Sequence, residues 1–233
     1  MGVLVDDDEV EAIIFDSHCH IDFILQRRLK GQGIANYGQL VDKNPGLHHK
    51  KLEGFVSNFC YPPTWPSSAP PPLLSSSGGL SVYYTVGCHP HFADLLLIEG
   101  GIKKLEKLLV KGRARGCVAV GECGLDRSGN NRVDMSTQVM AFKIQVRMAM
   151  KLGLPLVLHI REAEMEGRQV LRDCGLPRDW PVHRHCWNDS WERCREWLDE
   201  YRGSVVGLTG LITFRLGIAS WIIYLHVIIM FYI

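Results

Sequence analysis

The sequence predicts an α/β fold of parallel strands with helices outside, most economically a TIM-type (β/α) barrel. Short β-branched apolar runs alternate with segments of helical periodicity, and strand, helix, strand in repetition implies parallel pairing, in either a doubly wound sheet or a closed barrel. Asp16-Ser17-His18-Cys19-His20, Gly121-Glu122-Cys123-Gly124-Leu125-Asp126 and His159-Ile160-Arg161 each follow such a run. A barrel brings the C-terminal ends of its strands to one rim, and His, Glu and His are ligand types for divalent metal. With 233 residues and 46% hydrophobic content, the chain can bury one sizeable core.

The element order follows from the apolar runs. Strands are predicted at Ala12–Phe15, Gly54–Phe59, Val82–Val86, Cys117–Val120, Leu154–Leu158, Val182–His185 and Ser204–Gly207. Ile102 to Val110 sets Ile102, Leu105, Leu108 and Leu109 on one helical face, and Asp134 to Leu152 does the same with Val139, Phe142, Val146 and Ala149. Asp189-Ser190-Trp191-Glu192 offers a cap with Glu three positions on, opening a helix that Gly203 stops. Two stretches break the pattern. Pro62 to Gly79, rich in Pro and Ser, reads as a partly disordered surface loop. Gly217 to Ile233 is apolar apart from His226, somewhat short of the roughly 20 residues a spanning helix wants. The expected organisation is an acidic tail over 1–10, a barrel domain over 11–214 and a hydrophobic tail over 215–233 that aggregates or associates with membrane.

A formal net charge of +1 gives no global attraction to a polyanion. Lys103, Lys104, Lys107, Lys111, Arg113 and Arg115 form one basic cluster, read as the solvated face of an outer helix. The eight cysteines contain no C-x-x-C pair and mostly sit in or beside apolar runs, so buried free thiols are expected. Asp6, Asp7, Asp8 and Glu9 are the opposite of a basic signal-peptide start, giving an expectation of cytoplasm or nucleus.

On a strand His18 and His20 point to the same side and can chelate one ion, with Asp16 able to orient an imidazole from behind. Two histidines hydrogen-bonded at a strand end are the plain alternative. Glu122 falls where a barrel rim keeps its chemistry and one carboxylate can bridge two ions, although a lone Glu after a strand is usually an exposed charge. Asp126 reads as a structural cap or an acceptor behind the ligands. His159 and Arg161 again share a side; Arg161 suits a phosphate or carboxylate, or pairs with Glu162 or Glu164. His183 and His185 repeat the spacing at the sixth strand. His89-Pro90-His91 lies in a loop and suits substrate contact. His48, His49 and His226 lack strand-end context and read as structural or solvent-facing.

Taken together, Phe15 to His20, Thr85 to His91, Val120 to Asp126, Gln138 with Phe142 and Gln145, Pro155 to Arg161, and His185-Cys186-Trp187 resemble the TatD-related DNases, within the amidohydrolase-like metal-dependent barrels. The resemblance implies a dinuclear divalent-metal site and phosphodiester hydrolysis of nucleic acid, commonly 3′ to 5′ exonucleolytic. It makes His18 and His20 ligands of one ion, Glu122 the bridge, and His159 with His185 ligands of the second, while Arg161 and His89 contact phosphate. Glu122 and Arg161 are the catalytic candidates, and Mg²⁺, Zn²⁺ or Mn²⁺ the candidate ions. Family members carry an eighth strand ending in an E-T-D-like motif whose Asp completes the first site. Here the hydrophobic tail follows Phe214 and the last carboxylate is Glu200. An incomplete barrel with one ion lost is therefore expected, and a catalytically inactive truncated form or a small-molecule amidohydrolase are the alternative readings.

Overall fold

The computed structural model describes residues 14–44, 46, 51–75 and 79–208. Its strands are β1 (Ile14–Cys19), β2 (Leu52–Phe59), β3 (Ser81–Val86), β4 (Cys117–Asp126), β5 (Leu156–Arg161), β6 (Val182–Arg184) and β7 (Ser204–Val206), paired in chain order and all parallel. Helices α1 (Ile21–Phe23) and α2 (Tyr37–Lys43) lie between β1 and β2, and α3 (Ala93–Leu97) and α4 (Gly101–Gly112) between β3 and β4. Helices α5 (Met135–Leu152), α6 (Glu164–Asp173) and α7 (Trp191–Glu200) follow β4, β5 and β6. The sheet curls: the imidazole of His18 on β1 stacks on that of His185, just past β6, with centroids 4.2 Å apart. Among the described residues β1 and β7 do not pair, so this is an open half-barrel. The stretches 1–10 and 215–233, His48, His49 and His226 lie outside the described residues.

The core lies between the sheet and the outer helices. Helix α5 packs on β4, burying Phe142, Val146 and Ala149. Its start is fixed by Asp134, whose side chain accepts from the Thr137 amide, and its end by Gly153 in the left-handed region at φ 63°. In α4 Leu105 and Leu109 are buried, whereas Ile102 is 36% exposed.

Several boundaries differ from those predicted. Strand β1 continues to Cys19, so His18 lies within it rather than beyond it. Strand β4 runs on to Asp126, placing Glu122 inside the strand. Gly124 makes this continuation possible: it holds φ +149°, and a Cβ there would come within 1.8 Å of the His159 carbonyl on β5. The Pro-rich segment is no simple surface loop, since Trp65 and Leu74 are buried and Trp65 Nε1 donates to the Gly87 carbonyl at 2.7 Å. Short 3₁₀ turns at Pro62–Thr64 and Pro72–Leu74, pre-set by proline φ, bring these anchors inward. The cap of α7 is Ser190, which accepts from the Arg193 amide, while Asp189 accepts from the Ser190 amide. None of the eight cysteines is in a disulfide.

Candidate metal centre

Each residue of the rim cluster comes from a strand or from the residues just beyond one. Glu122 on β4 is buried at its centre. Its Oε1 lies 2.5 Å from His185 Nε2, 3.0 Å from His159 Nδ1 and 3.8 Å from His89 Nε2. Its Oε2 lies 3.3 Å from His18 Nε2 and 3.4 Å from His20 Nε2. Five imidazoles thus surround one carboxylate.

Neighbouring groups hold these rings in place. His20 Nδ1 lies 2.9 Å from the Asn58 carbonyl, an acceptor that sets the proton on Nδ1 and turns the Nε2 lone pair toward Glu122. His89 Nδ1 accepts from the His91 amide at 3.1 Å. Asp126 Oδ2 lies 2.9 Å from both His159 Nε2 and His91 Nε2, while its Oδ1 accepts from the Ser128 amide at 2.7 Å. Gln138 of α5 accepts from the Asp126 amide, and Gln145 from the Cys88 amide, so one helix pins two rim segments. Beneath the site, the buried Thr85 hydroxyl lies 2.7 Å from Asn58 Oδ1 and 2.8 Å from the Gly121 carbonyl.

Burial alone would raise the Glu122 carboxyl, but the imidazoles of His185, His159 and His18 hold it well below the usual range. Asp126 likewise stays low against its burial through hydrogen bonds with His159 and Ser128. Burial lowers His20, pushes His89 down to about 3 and holds His185 neutral despite Glu122. His159 alone moves up: its burial is outweighed by hydrogen bonds to Asp126 and Glu122.

The donor set fits divalent cations. Glu122 Oε1, His159 Nδ1 and His185 Nε2 form a triangle with sides of 2.5, 3.0 and 3.0 Å. Atoms bonded at about 2.0–2.2 Å to one shared ion sit roughly that far apart. His185 Nδ1 is buried and finds no hydrogen-bond partner among the described residues. Grouped by distance, His18, Glu122 and His185 form one candidate set and His89, Asp126 and His159 another.

The structure therefore brings together His18, His20, Glu122, His159, His185 and His89. Asp16 sits differently from the expected imidazole contact: its Oδ1 accepts from the His18 backbone amide at 2.9 Å. Arg161 follows His159 by two on β5 and is half-buried. Glu164, considered as its partner, instead pairs with Arg168 and Arg184. His183, which shares the i, i+2 spacing with His185, lies 5.8 Å from His18 between ring centroids, and the Asn58–Thr85 pair joins the site without a distinctive sequence signal.

Comparison with known proteins agrees with this geometry. The family model described as TatD related DNase matches residues 15–220. A human protein named 3′-5′ RNA nuclease TATDN2 is 31% identical over 205 residues, covering 88% of this chain and 26% of that protein. The Schizosaccharomyces pombe Deoxyribonuclease Tat-D is 36% identical over 135 residues, 54% of this chain and 42% of that protein. The chain thus spans between about a quarter and a half of the length of such relatives. Among solved structures, a hydrolase TatD family protein from Entamoeba histolytica superposes with TM-score 0.63 at 20% identity, covering 85% of this chain and 65% of that one. The TatD homolog YJJV from Escherichia coli k12 gives 0.61 at 20% identity, covering 86% and 69%. These two likenesses establish the fold as that of a TatD-type barrel. Since the family pattern runs through every strand that supplies the rim cluster, the chain belongs to the TatD related DNase family.

Proposed function

We propose that this protein is a metal-dependent nuclease that removes nucleotides from the 3′ end of single-stranded DNA or RNA. One observation carries the reading: a buried carboxylate, Glu122, ringed by five imidazoles at the C-terminal rim of a parallel sheet. The names of the relatives, an RNA nuclease and a deoxyribonuclease, support the substrate class. Eight cysteines with no disulfide among them suit a reducing compartment.

His18, His20, Glu122, His159 and His185 would hold two divalent ions, with Glu122 shared between them. Bound there, such ions polarise a phosphodiester and lower the pKa of a neighbouring water. The chain's own groups supply the rest. Glu122, kept ionised, places negative charge where cations gather. Asp126 fixes the orientation of His159, and His89 presents Nε2 from the β3 side of the cluster. Arg161, on the same face of β5 as His159, neutralises the incoming phosphate with a two-pronged hydrogen bond. Zn²⁺ or Mn²⁺ suits this imidazole-rich set better than Mg²⁺.

The test is hydrolysis of 5′-labelled single strands with Mn²⁺, Zn²⁺ or Mg²⁺. A ladder shortening from the 3′ end is expected, lost with a chelator and lost in His159→Ala while helix content is retained. Metal-independent cleavage, or none under any ion, overturns the reading.

A further inference from the structure

One side chain at the rim with a possible ligand atom has no part in the ligand set described above. Cys60 directly follows β2, two residues after Asn58, and its sulphur lies 4.0 Å from His20 Nδ1. A ligand atom from each of His20, Cys60 and Glu122 lies within 4.8 Å of the other two. The register accounts for the approach: β1 pairs with β2 through Cys19 and Ser57, which sets His20 beside Asn58, and Cys60 follows Asn58 by two at the end of β2.

Other thiols of the chain are placed differently. Cys19 donates to the Val56 carbonyl, Cys88 to that of Phe92 and Cys117 to that of Ala119, the ordinary use of a buried S–H. Cys60 is as buried as Cys88 and Cys117, yet it lies near an imidazole and the central carboxylate.

We propose that Cys60 is a metal ligand, joining His20 and Glu122 as a thiolate in one of the two cation subsites. The inference rests on the reading of the cluster as a metal centre. As the sulphur–metal bond forms, the thiol proton leaves to solvent and the sulphur keeps the electron pair it shares with the ion. A thiolate is a soft donor, so this subsite selects Zn²⁺ over Mg²⁺ and Mn²⁺, while the His18–Glu122–His185 subsite offers only nitrogen and oxygen.

X-ray absorption at the zinc edge on the zinc-loaded full chain tests it directly. The expected result is a sulphur shell at about 2.3 Å beside nitrogen and oxygen at about 2.0–2.1 Å. The sulphur shell should vanish in Cys60→Ser, with zinc still bound at the other subsite. Bound zinc with nitrogen and oxygen neighbours alone overturns the thiolate ligand and leaves the metal centre standing. A chain that binds no zinc, Mn²⁺ or Mg²⁺ overturns both. A sulphur shell that persists in Cys60→Ser assigns the ligand to another cysteine and overturns the proposal. Because the first measurement uses the unaltered protein, a folding defect in the variant does not blunt it.

Discussion

His159 is held between two carboxylates, its Nε2 2.9 Å from Asp126 Oδ2 and its Nδ1 3.0 Å from Glu122 Oε1. The two contacts fix the ring's orientation, and with an ion at the Glu122 side Asp126 would keep the proton on Nε2 and leave Nδ1 to ligate. Asp126→Asn keeps the shape and removes the charge. The expected outcome is a loss of about 10–100-fold in metal affinity by competition titration, with folding intact. Unchanged affinity would confine Asp126 to capping the turn at Ser128.

Arg161→Lys replaces a planar fork with a point charge and touches no ligand. KM for a single-stranded oligonucleotide should rise several-fold, with metal content by elemental analysis unaltered. An unmoved KM would remove Arg161 from the substrate path.

Gly124→Ala sets a methyl within 1.8 Å of the His159 carbonyl at a φ of +149°. Strain of this kind costs about 1–3 kcal/mol. We expect a lower denaturant midpoint together with weakened metal binding, because β4 and β5 must part where they present Glu122 and His159. Wild-type stability and affinity in this variant would show that the strands can give without disturbing the rim.

Glu200 is bound by Arg168 and by Arg172, the latter at 3.0 Å. Partial burial would raise its carboxyl, but the two guanidiniums hold it below its ordinary 4.5. A depressed carboxyl stabilises the fold at pH above its unfolded value and loses that contribution as pH falls through the folded value. Glu200→Gln should therefore cost on the order of 1 kcal/mol at neutral pH and nothing at pH well below 4.5. Urea titrations at neutral and acid pH should show the two proteins converging on acidification; a constant gap would assign the effect to packing.

Much of this is legible in the sequence itself, and the reasons differ by residue. His18 and His20, Glu122, and His159 each end an apolar run, so strand periodicity alone sends them to one rim. The extent of β4 was not legible, because Gly121 and Gly124 look like strand breakers until the close approach to β5 is seen. Helix α6 carries little apolar signal, since it buries only Gly167, Val170 and Leu171 and is otherwise mostly charged. Arg184 sits between two site histidines in sequence but points outward, lying 5.3 Å from the Trp187 ring and 5.9 Å from that of Trp197. Alternation along a strand says which residues share a side, and only packing says that a guanidinium is welcome on the other.

The strands are laid down in the order of the chain, so each new one needs only its predecessor to dock against. The rim cluster cuts across that order, and its stacked pair His18 and His185 joins the first strand to the segment after the sixth. Ions bound around it would act as a clasp across the mouth of the curled sheet, tying together segments that the backbone ladder connects only through every strand between. On the proposed reading the rim that gathers the ions and the seam that keeps the sheet curled would be one object, and stripping the metal would slacken the curvature of the sheet.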